Sequence, residues 1–467
     1  MFAMKRRIYS EMIEWKSKWA NQYALMIEGA RRVGKSYIVE EFVRQEYAHS
    51  LIIDFASADK TVKQLFQDKL HNLDEFFMLL ETHLGEHLVR GESVIVFDEV
   101  QRFPRAREAI KYLVKDGRFH YIETGSLISI RKNVKNIVIP SEEHHVKMFP
   151  LDFDEFLWAT GNAALIPVIE RRFAERKPVG SGMHRQIMDA FRQYLVVGGM
   201  PQVVQEFVNS RDLDIVDALK RSILELYRND ILKFGGGVKH KALAVFNAIP
   251  SQLSRHEKRL VLADIRKGAR MRDFEAAIEW LKSAMTVNVC YNATEPNIGL
   301  DLNADRSSVK CYLGDTGLLV SQAFSESQLV AADVHTRLLT GKIELNKGML
   351  VENVVAQMIR AAGHELYFYS NSERDDAADR MEIDFLIDKP VLSRRHNISP
   401  IEVKSGHEYG IASLTKYRNK FRPYLHTAYV LHDKDVSVKD DVVRLPLYMT
   451  QFVVAQGVGD STCIRTK

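Results

Sequence analysis

Cysteine is scarce in this chain: Cys290, Cys311 and Cys463 are the only three among 467 residues. An odd number at wide spacing forms neither a disulfide framework nor a zinc pattern, so the thiols read as reduced and buried, as in a cytosolic protein. No run of 18 apolar residues occurs, which argues against a membrane-spanning helix. The first residues, Met1-Phe2-Ala3-Met4-Lys5-Arg6-Arg7, lead into polar, amphipathic sequence rather than the apolar core of a signal peptide. Low-complexity tracts and internal repeats are absent as well. A dominant charge is also missing. Sixty-five basic residues face 61 acidic ones, a formal net charge of +4, so any nucleic-acid binding has to come from a local patch. These absences predict a cytoplasmic protein with no membrane partner.

What remains is globular: 46% of residues are apolar and 27% charged. The length suggests roughly three domains. The most telling stretch is Gly29-Ala30-Arg31-Arg32-Val33-Gly34-Lys35-Ser36, which satisfies the phosphate-loop pattern G-x-x-x-x-G-K-[ST] at every fixed position. An apolar segment, Ala24-Leu25-Met26-Ile27, precedes it, and Ile38, Val39, Phe42 and Val43 follow at helical spacing. Strand, glycine loop and helix N-terminus together make a cradle of backbone N–H groups for phosphates, here assigned to Gly29 through Tyr37. In that reading Lys35 reaches the β- and γ-phosphates of ATP and the Ser36 hydroxyl ligates Mg²⁺.

Downstream, Ser93-Val94-Ile95-Val96-Phe97-Asp98-Glu99 reads as a buried parallel strand ending in two carboxylates. Ligands sit beyond the carboxyl ends of such strands. Asp98 is therefore expected at the Mg²⁺ ion, through water, and Glu99 as the base acting on the attacking water. A further strand, Phe119-His120-Tyr121-Ile122, runs into Glu123-Thr124-Gly125-Ser126. Thr124 and Ser126 are candidates to touch the γ-phosphate or the water, against the plainer reading of hydroxyls at a strand-to-turn junction. Alternating strands and helices over 20–150 predict a parallel α/β sheet.

The spans Ile27 to Ser36, Phe97-Asp98-Glu99-Val100-Gln101, Glu123-Thr124-Gly125-Ser126-Leu127 and Phe149-Pro150-Leu151-Asp152-Phe153-Asp154-Glu155-Phe156 resemble, in order, those of a large group of prokaryotic AAA+ ATP-binding proteins that carry a C-terminal domain of unknown function. Arg31-Arg32-Val33-Gly34-Lys35 is also similar to the loop of archaeal and signal-transducing switch ATPases. The resemblance implies an ATPase core, and with it an arginine presented to the γ-phosphate, often by a second copy. Arg102, Arg105, Arg131 and Arg192 are candidates, with ordinary surface arginines as the alternative for each. The expected order of domains is an AAA+ core (1–157), a helical lid or connector (158–236), a winged-helix-like domain (237–325) and a restriction-endonuclease-like domain (340–450).

In the connector, Gly198-Gly199-Met200-Pro201 reads either as a hinge or as a helix stop. Over 241–320 the predicted order of three helices and a strand pair outlines a winged helix. Arg270, Arg272 and Lys282 lie on its expected recognition helix, with Arg255, Lys258 and Arg259 upstream, as possible contacts for DNA phosphates. Asp273, Glu275 and Glu279 on the same helix would repel a duplex.

Beyond 340, a helix bearing Glu352 precedes a strand at 365–369, then Glu382-Ile383-Asp384 and Ile401-Glu402-Val403-Lys404. The order E…D…E-x-K resembles the restriction-endonuclease superfamily, although Met381 stands where a proline is usual. In a strand Glu402 and Lys404 share a face. Glu352, Asp384 and Glu402 are hard oxygen ligands for a second Mg²⁺ or Mn²⁺, and Lys404 could steady developing charge. Lys416 and Lys420 could add a basic edge, against the plainer reading of a solvated helix face. The sequence thus predicts a Mg²⁺-dependent ATP-hydrolysing switch whose C-terminal parts engage a partner, with DNA a candidate and a homo-oligomer possible; the alternative is an ATP-gated, metal-dependent DNA nuclease.

Overall fold

The computed structural model describes residues 4–125, 141–255, 258–296, 299–324, 337, 339, 347–371, 380–388, 397–406 and 408–455. Ser126, Arg131 and Cys463 lie outside them. The chain divides into two compact units, one formed by residues 1–149 with 283–285 and the other by the remainder.

In the first unit, helix α1 (Ile8–Lys18) is followed by strand β1 (Ala24–Gly29), α2 (Lys35–Glu46), β2 (His49–Asp54), α3 (Lys60–Asp68), α4 (Leu73–Leu84), β3 (Ser93–Asp98), α5 (Pro104–Asp116), β4 (His120–Gly125) and β5 (Glu143–Met148). The strands form one all-parallel sheet in the order β2-β3-β4-β1-β5. Every residue of β1 is buried, and β3 is buried up to Asp98, as expected where helices cover both faces. Edge strand β2 shows the opposite pattern, with Leu51 and Ile53 buried around an exposed Ile52. Phe55, Phe66, Phe76, Phe97 and Tyr121 belong to a single aromatic-rich core, with Phe103 packed against it.

Next to Thr124 on β4, and therefore on the other face, Glu123 is fully buried. Arg107 of α5 is committed to Glu143, its Nε and Nη2 donating at 2.8 and 2.6 Å. Burial first, and then the nearby Glu143 carboxylate, pushes the Glu123 pKa well above the usual range, against the pull of Arg107. A raised pKa means that the folded chain holds a proton the unfolded chain has released. Stability from this group is therefore complete below the ordinary glutamate pKa and is lost as pH rises through the folded value. Glu123→Gln is expected to raise the thermal midpoint at pH 8 by about 2–4 °C for each kcal/mol of penalty removed and to change it little at pH 4. Calorimetry at both pH values checks this, and an equal shift at both would refute the assignment.

The second unit opens with helices α6 (Phe153–Ala159), α7 (Leu165–Glu175), α8 (Ser181–Val197), α9 (Pro201–Ser210), α10 (Leu213–Phe234), α11 (Lys239–Leu253), α12 (Leu262–Ile265) and α13 (Met271–Ser283). Strands β6 (Val287–Ala293) and β7 (Ala304–Leu313) follow, then α14 (Thr316–Ala323), α15 (Lys347–Ala361), β8 (Leu366–Asn371), β9 (Met381–Asp388), β10 (Ile398–Val403), α16 (Ala412–Phe421), β11 (Ala428–His432), β12 (Ser437–Lys439), β13 (Val442–Pro446) and α17 (Thr450–Ala455). Eight strands form a mixed sheet in the order β12-β13-β11-β10-β9-β8-β6-β7.

The three helices and the strand pair expected for a winged helix are present, but the strands do not form a separate wing. β6 pairs in parallel with β8, so β6 and β7 extend the sheet of the C-terminal region. Asn353 of α15 fastens this edge by bonding both the backbone N–H and the carbonyl of Leu313, at 2.8 and 3.2 Å. The double glycine is enclosed rather than free to hinge. Gly198 ends α8 at φ +82°, and a Cβ there would lie 2.3 Å from Asp315 Oδ1. A Cβ on Gly199 would lie 2.2 Å from the Leu151 carbonyl oxygen, and the Gly199 N–H donates to Asp315 Oδ2 at 2.6 Å.

Candidate functional site

The glycine loop follows β1. Gly29 is required by packing, since a Cβ there would lie 2.5 Å from the Met148 carbonyl oxygen. Gly34 is required by conformation, at φ +94° immediately before α2. No side chain caps α2, so its first N–H groups face the loop's concavity, the arrangement that favours an anion. Ala30 and Val33 are buried and anchor the loop, while Arg31 and Arg32 are exposed, Arg32 at φ +70°. Arg6, ahead of α1, donates to the Val33 carbonyl at 3.0 Å and the Phe149 carbonyl at 2.7 Å. Tyr37 accepts from the Met4 N–H at 3.1 Å. These two ties brace the loop from the N-terminal segment and have no signal in the motif itself.

Lys35 is buried, and its Nζ donates to the carbonyls of Gly29 and Ala30, both at 3.0 Å. Burial lowers its pKa, and Glu99 and Asp98 oppose that shift. The Ser36 hydroxyl donates to Asp98, at 2.9 Å to Oδ2 and 3.1 Å to Oδ1. Because β4 lies between β1 and β3, Thr124 at its tip reaches the same carboxylate: Thr124 Oγ1 donates to Asp98 Oδ1 and accepts the Glu99 N–H at 3.2 Å. Glu99 sits at φ +53°, a left-handed backbone unusual for a glutamate, and its Oε2 accepts from Gln101 Nε2 at 2.6 Å. The structure therefore brings Lys35, Ser36, Asp98, Glu99 and Thr124 together, and adds the buried Gln101, which no spacing rule singles out.

A hydroxyl beside one carboxylate at an anion cradle suits Mg²⁺ shared with phosphates, because this ion usually takes one or two protein carboxylates plus substrate oxygens. A cage of three or more His, Cys, Asp or Glu side chains is not required there, and none occurs among the described residues.

Among the arginines considered for the γ-phosphate, Arg102 is exposed, Arg105 pairs with Glu108 at 2.8 Å and Arg192 with Asp189 at 2.6 Å. Several basic side chains expected to meet DNA are committed to carboxylates: Arg255 to Asp264, Lys258 to Glu352, and Lys282 to Glu365 at 3.0 Å. Arg270 and Arg272 are exposed.

The second group of predicted residues meets on one face of the mixed sheet. Glu402 and Lys404 pair at 2.6 Å. Asp384 Oδ2 accepts the Val403 N–H at 2.8 Å, which joins β9 to β10. Lys310 of β7, fully buried, places its Nζ 2.7 Å from Glu382, 3.4 Å from Glu352 and 3.8 Å from Asp384. Tyr312 and Lys258 donate to the two oxygens of Glu352. Burial opposes ionisation of Glu352, but Lys258 and Lys310 outweigh it and hold the pKa at about 2. Burial and the Glu352 charge push Asp384 up to about 6, against both lysines. Burial also raises Glu402, against Lys404. The expectation of a second divalent ion therefore meets carboxylates that already carry ammonium partners. Lys310 was legible only as a lysine within the apolar run Val309-Lys310-Cys311-Tyr312-Leu313.

Comparison with known proteins gives three family matches: an AAA domain over residues 21–157, a domain of unknown function (DUF8612) over 188–328, and another (DUF4143) over 347–449. No curated protein matches the sequence. Similar solved structures include a Walker-type ATPase of Pyrococcus abyssi (14% identity, 68% of this chain, 96% of that chain, TM-score 0.40). Cdc6p of Pyrobaculum aerophilum is similar at 13% identity, over 74% of this chain and 96% of that one, with a TM-score of 0.27. The Hsp104–ADP complex of S. cerevisiae is similar at 10% identity, over 77% and 44%, with a TM-score of 0.27. The segment 21–157 is an AAA-type P-loop ATPase domain. Among the described residues no helix is long and apolar enough to cross a membrane.

Proposed function

We propose that this protein is a Mg²⁺-dependent ATP-hydrolysing switch, with nucleotide bound at Gly29–Tyr37 and a partner engaged by the second unit. The observation that carries the reading is the convergence of the Ser36 and Thr124 hydroxyls on Asp98 beside the anion cradle, with the Glu99 N–H held on the same Thr124 hydroxyl. Backbone N–H groups of the loop and Lys35 would hold the phosphates, and Ser36 directly and Asp98 through water would hold the metal. Bound Mg²⁺ would supply neutralisation of charge on the β- and γ-phosphates. Glu99 accepts a proton from the attacking water, and Thr124 fixes the backbone that aims it. Exposed Arg102, close in sequence to Glu99, suits supply to a second copy. The direct test is phosphate release by the purified chain with and without Mg²⁺, and failure to bind or hydrolyse ATP would overturn the reading.

Gln101 is a positioning residue in this scheme, because its amide holds one oxygen of Glu99 and leaves the other for water. Gln101→Leu is expected to lower kcat about tenfold with KM near wild type. A fall confined to KM, or an unchanged kcat, would remove that role.

The alternative, an ATP-gated DNA nuclease, draws support from the order helix, three strands, helix, strand over 347–432, with Glu352, Asp384, Glu402 and Lys404 on it. That order supports a restriction-endonuclease-like fold. DNA as the partner remains part of this alternative, and the lysines around Glu352 weigh against its metal chemistry.

A further inference from the structure

We propose that the carboxylate cluster of the C-terminal region is a lysine-occupied site, in which Lys310 and Lys258 stand where a nuclease would hold its divalent cation. The inference is independent of the ATPase reading, because no residue of the first unit takes part.

Both lysines come from outside the helix-and-strand segment that supplies the acids. Lys310 lies on β7, at the edge of the sheet, and Lys258 precedes α12. Their delivery is coupled: the Leu260 N–H donates to the Val309 carbonyl at 2.8 Å, which ties the Lys258 segment to the residue before Lys310. Lys310 is itself buried, with its Nζ 5.0 Å from the centroid of the Phe368 ring, while its partners Glu382 and Asp384 are partly exposed. Lys258 Nζ also reaches the Gly348 carbonyl at 3.4 Å.

Charge makes the same point. Three of the carboxylates, Glu352, Glu382 and Asp384, face the ammonium groups of Lys258 and Lys310, which already supply the two positive charges of one divalent ion, and the fourth, Glu402, pairs with Lys404. Mg²⁺ and Mn²⁺ require oxygens close to 2 Å in near-octahedral array. Here Glu352 already has donors on both oxygens, and Asp384 has one on Oδ2. A metal ligated by Glu352 would have to displace the Lys258 or Tyr312 donor, and beside Glu382 and Asp384 it would meet the buried Lys310 ammonium, whose separation from its partners is strongly unfavourable. The region is thereby suited to binding a partner or to architecture, without metal chemistry.

Mn²⁺ titration of nucleotide-free, metal-stripped full-length protein tests the proposal, read by electron paramagnetic resonance of the free ion. All proteins carry Asp98→Asn to silence the phosphate-loop site. The expected result is no saturable Mn²⁺ site across the millimolar range and no plasmid cleavage in Mn²⁺. Adding Lys310→Met and Lys258→Met is expected to create one Mn²⁺ site at least about tenfold tighter than any in the parent, removed again by Asp384→Asn. A parent that binds one Mn²⁺ and loses it on Asp384→Asn would overturn the proposal. So would a folded double-lysine variant, checked by circular dichroism, that binds none. Should that variant fail to fold, the comparison of the parent with Asp384→Asn still decides.

Discussion

Glu99→Gln is expected to lower ATP turnover about 10²–10⁴-fold, the usual range for removal of a general base, while ATP binding stays near wild type. The amide keeps the size and most hydrogen bonds of the carboxylate but cannot accept the water's proton. The main chain of the residue is held independently, by its N–H on Thr124 Oγ1, so the substitution leaves the geometry of Asp98 and Ser36 in place. An interaction used only in the transition state changes kcat and leaves ground-state affinity alone. Phosphate release measured beside equilibrium binding of labelled ATP separates the two. Hydrolysis at the wild-type rate would show that another group activates the water.

The second large effect concerns Lys35→Ala. Truncating one partner of a desolvated charged contact weakens binding by about 2–5 kcal/mol, and with each 1.4 kcal/mol worth tenfold, ATP affinity is expected to fall about 10²–10³-fold. In the structure the ammonium is held by the carbonyls of Gly29 and Ala30 and is poised at the mouth of the loop. Its folded pKa is lowered by burial, so the charged form is disfavoured in the fold without nucleotide. Removing it therefore costs little stability through charge, and the nucleotide-free variant is expected to unfold near the wild-type midpoint. Calorimetric titration with a slowly hydrolysed ATP analogue, beside a thermal melt, distinguishes a binding defect from a folding defect. Unchanged affinity would place the phosphates elsewhere.

The two candidate sites differ in how far they could be read from residues alone. At the nucleotide site the chemistry-bearing residues lie in three short contiguous runs, each at the end of a strand whose apolar character marks it as buried. Parallel strands carry their C-terminal ends to one edge, so Ser36, Asp98 and Thr124 were bound to meet once the strands were recognised. Arg6 carried no signal, and Gln101 stood in a resembling span with no role assigned, because a buried arginine on two carbonyls and a glutamine turned onto Glu99 leave no periodicity behind.

At the C-terminal cluster the acids were legible and their partners were not. Glu352, Asp384, Glu402 and Lys404 stood out as a spaced pattern, and the structure does bring them to one face of the sheet. Lys258 and Lys310 reach that face only because β6 pairs with β8 and lays β7 along the edge. Read locally, the same strands closed a helical segment and suggested a separate wing.

Local order along the chain was thus enough to establish a strand, a glycine loop and a helix that together cup an anion, because hydrophobic period and loop chemistry act between neighbours. Which charges neutralise the buried carboxylates was decided only by tertiary pairing. Strand partners tens of residues apart are chosen by the burial of whole faces, and no short stretch of sequence carries that choice.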